Sequence, residues 1–205
     1  MCQVNLNKYL DHNKVWAKKL NKSDADYFSH LQEGQHPIAL LLGCSDSRVS
    51  PSTVLGIELG ELFIHRNIAN VVSHTDLNFL SVMQYAVENL NIKDIIVYGH
   101  YGCGGVKAAY EDKSNGMLDN WLANIKDVIR HHQNELNLIE DEELKLQKLV
   151  ELNTLEQIEN IKQTSVYKNA LDKGIDLKLH AWVFDFSTGL VHDLKEKYKG
   201  KPVQV

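Results

Sequence analysis

Apolar positions change their spacing along the chain, and the change separates strands from helices. Residues 38–43, Ile-Ala-Leu-Leu-Leu-Gly, form an unbroken apolar run after Pro37. A run without alternation predicts a central parallel strand covered on both faces. Asp94–Gly99 (DIIVYG) has the same form, and Glu61–Arg66 (ELFIHR) is a further strand candidate. Residues 74–90 place Leu77, Leu80, Met83, Ala86, Val87 and Leu90 at helical spacing. Helices are expected over most of residues 118–173, with Gly174 at the C′ position of the last one. LKLHAWVFDF, STG and LVHDL then read as strand, turn and strand. At the other end, Leu6, Leu10, Trp16 and Leu20 predict an amphipathic arm helix over residues 5–20. Ser23–Asp26 (SDAD) has the form of a capping box opening a short helix that Gly34 stops.

Strands alternating with helices predict an α/β fold. Its centre is a mostly parallel β-sheet flanked by helices, with an N-terminal arm helix and a C-terminal hairpin. One domain over residues 1–205 is expected: a helical arm to residue 35, an α/β core over 36–190 and a tail over 191–205.

Composition narrows the function. A net charge of −5 and a pI near 6.0 argue against nucleic acid or an anionic membrane as partner. No apolar stretch approaches the roughly 18 residues that a membrane helix needs. The first twenty residues hold no apolar signal-type segment, so a cytoplasmic location is expected. Of three cysteines, Cys2, Cys44 and Cys103, none needs to form a bridge in a reducing compartment. Thiols or metal ligands are the expectation, with Cys2 an exposed thiol outside the chemistry.

Open sheets of this class bind ligands beyond the carboxyl ends of their strands. There the run 38–43 hands over to Cys44, Asp46 and Arg48, and the run 94–99 to His100 and Cys103. Cys44, His100 and Cys103 make a soft Cys₂His set, which suits Zn²⁺ and leaves a fourth tetrahedral position. Gly102, Gly104 and Gly105 let the His100–Cys103 turn take unusual backbone angles. Asp46, two residues beyond Cys44 in an extended chain, points to the same side. Two states are open: Asp46 as fourth ligand, closing the site, or Asp46 held by Arg48 in a bidentate pair, leaving room for water.

Competing readings are weaker. Cys44 and Arg48 are four apart, whereas a thiol phosphatase needs C-x₅-R. GHYGCGGVK is neither a P-loop nor a dinucleotide fingerprint. A Cys44–Cys103 redox pair and a closed structural zinc site remain as alternatives. His131 and His132 are expected on a solvated helix face, and Glu140–Glu143 (EDEE) in a charged first helical turn.

CSDSR (Cys44–Arg48), HRNIAN (His65–Asn70) and GHYGCGG (Gly99–Gly105), in that order and at those separations, resemble the β-class carbonic anhydrases, bacterial type. The likeness runs from about residue 24 to residue 186 and includes HAWVFD near its end. The resemblance implies one Zn²⁺ per chain, held by Cys44, His100 and Cys103, with Asp46 joining them in the closed state. It implies Asp46 and Arg48 as the catalytic dyad that orients zinc-bound hydroxide in the reversible hydration of carbon dioxide to bicarbonate. It also implies a homodimer, or a tetramer of dimers, in which the arm wraps the partner. In one bacterial subgroup bicarbonate binds a second pocket lined by Trp, Arg and Tyr. The matching positions here are Leu41, Arg66 and Phe184, so only the arginine remains. Arg66 is therefore either an anion-binding residue or the brace of a loop.

Overall fold

The chain divides between His36 and Pro37 into two compact units. The computed structural model describes residues 5–113 and 116–198; Cys2 and the end of the expected tail lie outside them. In the first unit, helix α1 (Asn7–Ser23) and helix α2 (Tyr27–Gln32) meet where the Trp16 and Phe28 rings pack edge to face, 5.7 Å between centroids. Leu6 and Leu10 of the apolar stripe stay exposed. The expected capping box does not form. Helix α1 runs on to take in Ser23, whose hydroxyl donates back to the Leu20 carbonyl, and α2 starts behind Asp26 without a side-chain cap.

The second unit is built on a five-stranded sheet in the order β2-β1-β3-β4-β5. Its first half runs β1 (Ala39–Cys44), α3 (Pro51–Leu55), β2 (Leu62–Asn67), a 3₁₀ turn at Ile68–Asn70, and α4 (Leu77–Glu88). Then come β3 (Asp94–His100), α5 (Gly104–Glu111), α6 (Leu118–His131), α7 (Gln133–Asn137), α8 (Glu142–Gln163) and α9 (Ser165–Asp172). Strands β4 (Lys178–Asp185) and β5 (Leu190–Asp193) and helix α10 (Leu194–Lys197) close the unit. The first four strands are parallel, and β5 returns antiparallel as the hairpin.

Both apolar runs became central strands because side chains on both faces need cover. Leu40 and Leu42 of β1, with Ile95 and Val97 of β3, join the main core. Leu41, Ile96 and Tyr98 point into a smaller cluster on the opposite face, with Phe184. Gly174 follows α9 at φ +75°, and its N–H donates to the Leu171 carbonyl, the expected helix stop.

Three expectations are corrected by packing. In α4 the buried stripe is Phe79, Met83, Ala86 and Val87, while Leu77 is 76% exposed. The carboxylate of Asp76 accepts from the Asn78 and Phe79 N–H groups, so Leu77 falls in a first turn that faces out. His132 is not on a solvated face; it is buried where α6 turns into α7, beside Glu135. Residues 191–198 are part of the core rather than a tail, with β5 completing the sheet and Leu194 fully buried. The acidic turn does form: Asp141 caps α8 and its side chain accepts from the Leu144 N–H.

Candidate metal centre

Strands β1 and β3 are neighbours in register, with Gly43 opposite Tyr98, so their carboxyl ends emerge side by side. Cys44 is the last residue of β1 and His100 the last of β3. After His100 the chain turns through Gly102, at φ +65°, and delivers Cys103 to the N-cap of α5. The ligand atoms of Cys44, His100 and Cys103 lie within 4.8 Å of one another, and all three residues are buried. The two sulfurs are 3.9 Å apart.

His100 is prepared as a ligand. Its Nδ1 lies 3.0 Å from the Tyr101 carbonyl, an acceptor only, so Nδ1 carries the proton. Nε2 is left buried with no hydrogen-bond partner. An orphaned imidazole nitrogen beside two sulfurs costs about 1–3 kcal/mol unless a cation completes it. The residues present fit a metal ion.

Electrostatics point the same way. Cys44 is pulled down to about 4, first by the neighbouring Cys103 thiol, against its burial, and then by the His100 side chain and the N–H groups of Asp46 and Ala69. Cys103 is pushed well above the thiol range, because a second thiolate would stand against the first and burial opposes it. Without a cation the pair carries one charge. A divalent ion would let it carry two.

The surrounding loop is held by devices outside the ligand set. Ala69 and Asn70 adopt left-handed angles, φ 61° and 48°, which side chains other than glycine rarely take. Asn153 of α8 donates to the Ala69 carbonyl, Trp121 of α6 to the Ile68 carbonyl, and Gln157 accepts from the Val72 N–H. A Cβ at Gly105 would come within 2.8 Å of the Ile68 side chain, so glycine lets α5 approach this turn. Beneath Tyr101, the buried Glu151 accepts from the Tyr101 and Tyr198 hydroxyls and from Lys197 Nζ. The sequence reading passed over Trp121, Glu151, Asn153 and Gln157. For the three on α8 the one signal is polar residues on its apolar stripe, in ELNTLEQIEN.

Asp46 reaches the site by a turn, not by strand alternation, since β1 ends at Cys44. The Arg48 N–H donates to Asp46 Oδ1, closing the turn. Arg48 Nε bonds Oδ1 at 3.0 Å and Nη2 bonds Oδ2 at 2.7 Å, a bidentate pair. That pairing holds the Asp46 carboxyl well below the usual carboxylate range. Oδ2 stands 3.8 Å from His100 Nε2. Arg66 donates to the carbonyls of Cys44, Asp46 and Val49, the posture of a loop brace. Leu41 and Phe184 are packed in the smaller core cluster.

The carbonic anhydrase family profile matches residues 39–191. A carbonic anhydrase of Emericella nidulans is 42% identical over 193 residues, covering 94% of this chain and 85% of that protein. Among solved structures, a tetrameric β-carbonic anhydrase of the ascomycete Sordaria macrospora superposes with a TM-score of 0.87 at 36% identity. That match spans 92% of this chain and 95% of the other. The Coccomyxa β-carbonic anhydrase, solved with acetazolamide, gives 0.89 at 34% identity over 94% of this chain and 87% of its own.

Proposed function

Because the chain belongs to the β-class carbonic anhydrases, we propose that its reversible hydration of carbon dioxide runs on one Zn²⁺ held by Cys44, His100 and Cys103. One observation carries the reading: two sulfurs and an unpartnered imidazole nitrogen converge while Asp46 is turned to Arg48. Zinc so placed supplies a Lewis acid that makes a water molecule acidic, to about 7 in the tri-histidine carbonic anhydrases of another class, and less so beside two thiolates.

The chain's own residues do the rest. Arg48 keeps Asp46 ionised and off the fourth position. An ionised Asp46 can only accept, so it takes a hydrogen bond from a water held beside Oδ2, without removing its proton, and turns that water's lone pair outward. Carbon dioxide, with no charge and no donor, needs only a small dry space next to that lone pair. Arg66 fixes the Cys44–Val49 loop on which both members of the dyad ride.

The arm over residues 1–35, with Leu6 and Leu10 exposed, supports a dimer-based assembly, in line with the tetrameric Sordaria relative. A reducing cytoplasm would keep Cys44 and Cys103 as thiols. No described helix is long and apolar enough to cross a membrane. Stopped-flow hydration of carbon dioxide, with zinc measured on the same sample, tests the reading. One zinc per chain and turnover are expected; metal-free native protein with full activity would refute it.

A further inference from the structure

Arg48 is held by more than its carboxylate. Its guanidinium carbon lies 4.6 Å from the centroid of the Phe186 ring, and Nη2 is 3.5 Å from the Gly102 carbonyl. The same ring meets His100 edge to face at 5.6 Å and Phe184 at 5.0 Å. Phe184 is buried and in register with His100 across β3 and β4, so it anchors Phe186 beside the metal ligands. Phe186 thus stands between a ligand and the latch.

We propose that Phe186 is a positioning residue for the gate: its ring holds the Arg48 guanidinium where it grips both oxygens of Asp46. It thereby biases the balance between Asp46 on Arg48 and Asp46 on the metal. The inference rests on the ligand and dyad assignments above and deepens them.

The Arg48 side chain is 58% exposed, and an ion pair so open to water contributes little on its own. Stacking of a cation on an aromatic face at an exposed site is of comparable size. Removing the ring is expected to shift the open-to-closed ratio by roughly two- to fivefold. The charged and titratable groups around the guanidinium are Asp46, Cys44, Cys103 and, beyond Asp46, His100. His100 keeps its Nδ1 bond to Tyr101 without the ring, so metal content should not change.

The experiment compares full-length zinc-loaded and cobalt(II)-substituted wild type with Phe186→Leu, Phe186→Trp and Arg48→Ala. Metal content, kcat/KM against pH and the cobalt visible spectrum against pH without carbon dioxide are the readouts. Phe186→Leu should keep one metal per chain. Its midpoint should rise by about 0.3–0.7 pH units in both profiles, the logarithm of that two- to fivefold shift, because opening a more firmly held Asp46 needs more hydroxide. Phe186→Trp, which keeps an aromatic face, should stay at the wild-type midpoint. An unmoved midpoint in Phe186→Leu, an equal move in Phe186→Trp, or lost metal in Phe186→Leu would overturn the proposal. If Arg48→Ala moves the spectrum and Phe186→Leu does not, Phe186 alone is misassigned; if neither moves it, the dyad reading falls as well.

Discussion

Cys44 and Cys103 differ in charge although they share one site. With Cys44 ionised at neutral pH and Cys103 held protonated beside it, filling the site must expel one proton from Cys103. Zinc affinity should therefore rise about tenfold per pH unit between pH 6 and 8, as protons become scarcer, in competition with a chromophoric chelator. A slope near 2 would mean that both sulfurs start as thiols. Cys103→Ser should lose the metal and activity together, read by elemental analysis and stopped flow. Asp46→Asn tests the dyad separately. It should keep zinc yet lose about 100-fold or more in hydration, because the amide also offers donors where only an acceptor serves. The residue chemistry was legible early, since Cys, His and Cys at strand ends have few other uses. The Arg66 role was not, because its partners are three backbone carbonyls that no side-chain pattern records.

Helix α8 acts as an element rather than as a set of ligands. It lays Glu151 under Tyr101, Thr154 against Gly99, Asn153 on the strained Ala69 and Gln157 on Val72. One rigid helix thus supports both the His100–Cys103 turn and the neighbouring 3₁₀ turn at Ile68–Asn70. Glu151→Ala would leave the buried ends of Tyr101 and Tyr198 without their acceptor. A loss of about 2–3 kcal/mol in denaturant unfolding is expected, with zinc still bound at saturating metal. Gly105→Ala should instead weaken metal affinity, since the added carbon drives α5 away from Ile68 and displaces Cys103. Helical periodicity found such elements and their approximate ends. It misjudged Leu77 and the Ser23 cap because helix ends are settled by hydrogen bonds that compete locally, not by the stripe.

For the whole molecule, a metal bound by Cys44, His100 and Cys103 would be part of the fold. Its site ties β1, β3 and α5 together, and chelation should lower the melting temperature by several degrees, reversibly on adding zinc. No change on chelation would place the site outside the folding unit. The second sheet face carries the smaller cluster of Leu41, Ile96, Tyr98 and Phe184, with Leu59, Ile64 and Leu190 exposed elsewhere in the unit. Sedimentation at micromolar concentration should report a dimer or tetramer; a monomer there would count against the assembly.

By itself the sequence determined the class of fold and singled out Cys44, His100 and Cys103, the three side chains that the fold brings together. Unbroken apolar runs can only be covered on both faces, and two thiols with an imidazole at strand ends have a narrow chemistry. Only the tertiary structure shows Asp46 paired with Arg48. Asp46 can reach either a metal or Arg48, and the choice turns on a loop geometry set by Arg66 and on an aromatic ring more than a hundred residues away. Contacts between segments so distant in the chain have no local signature, because each residue is ordinary until the sheet brings it next to the others.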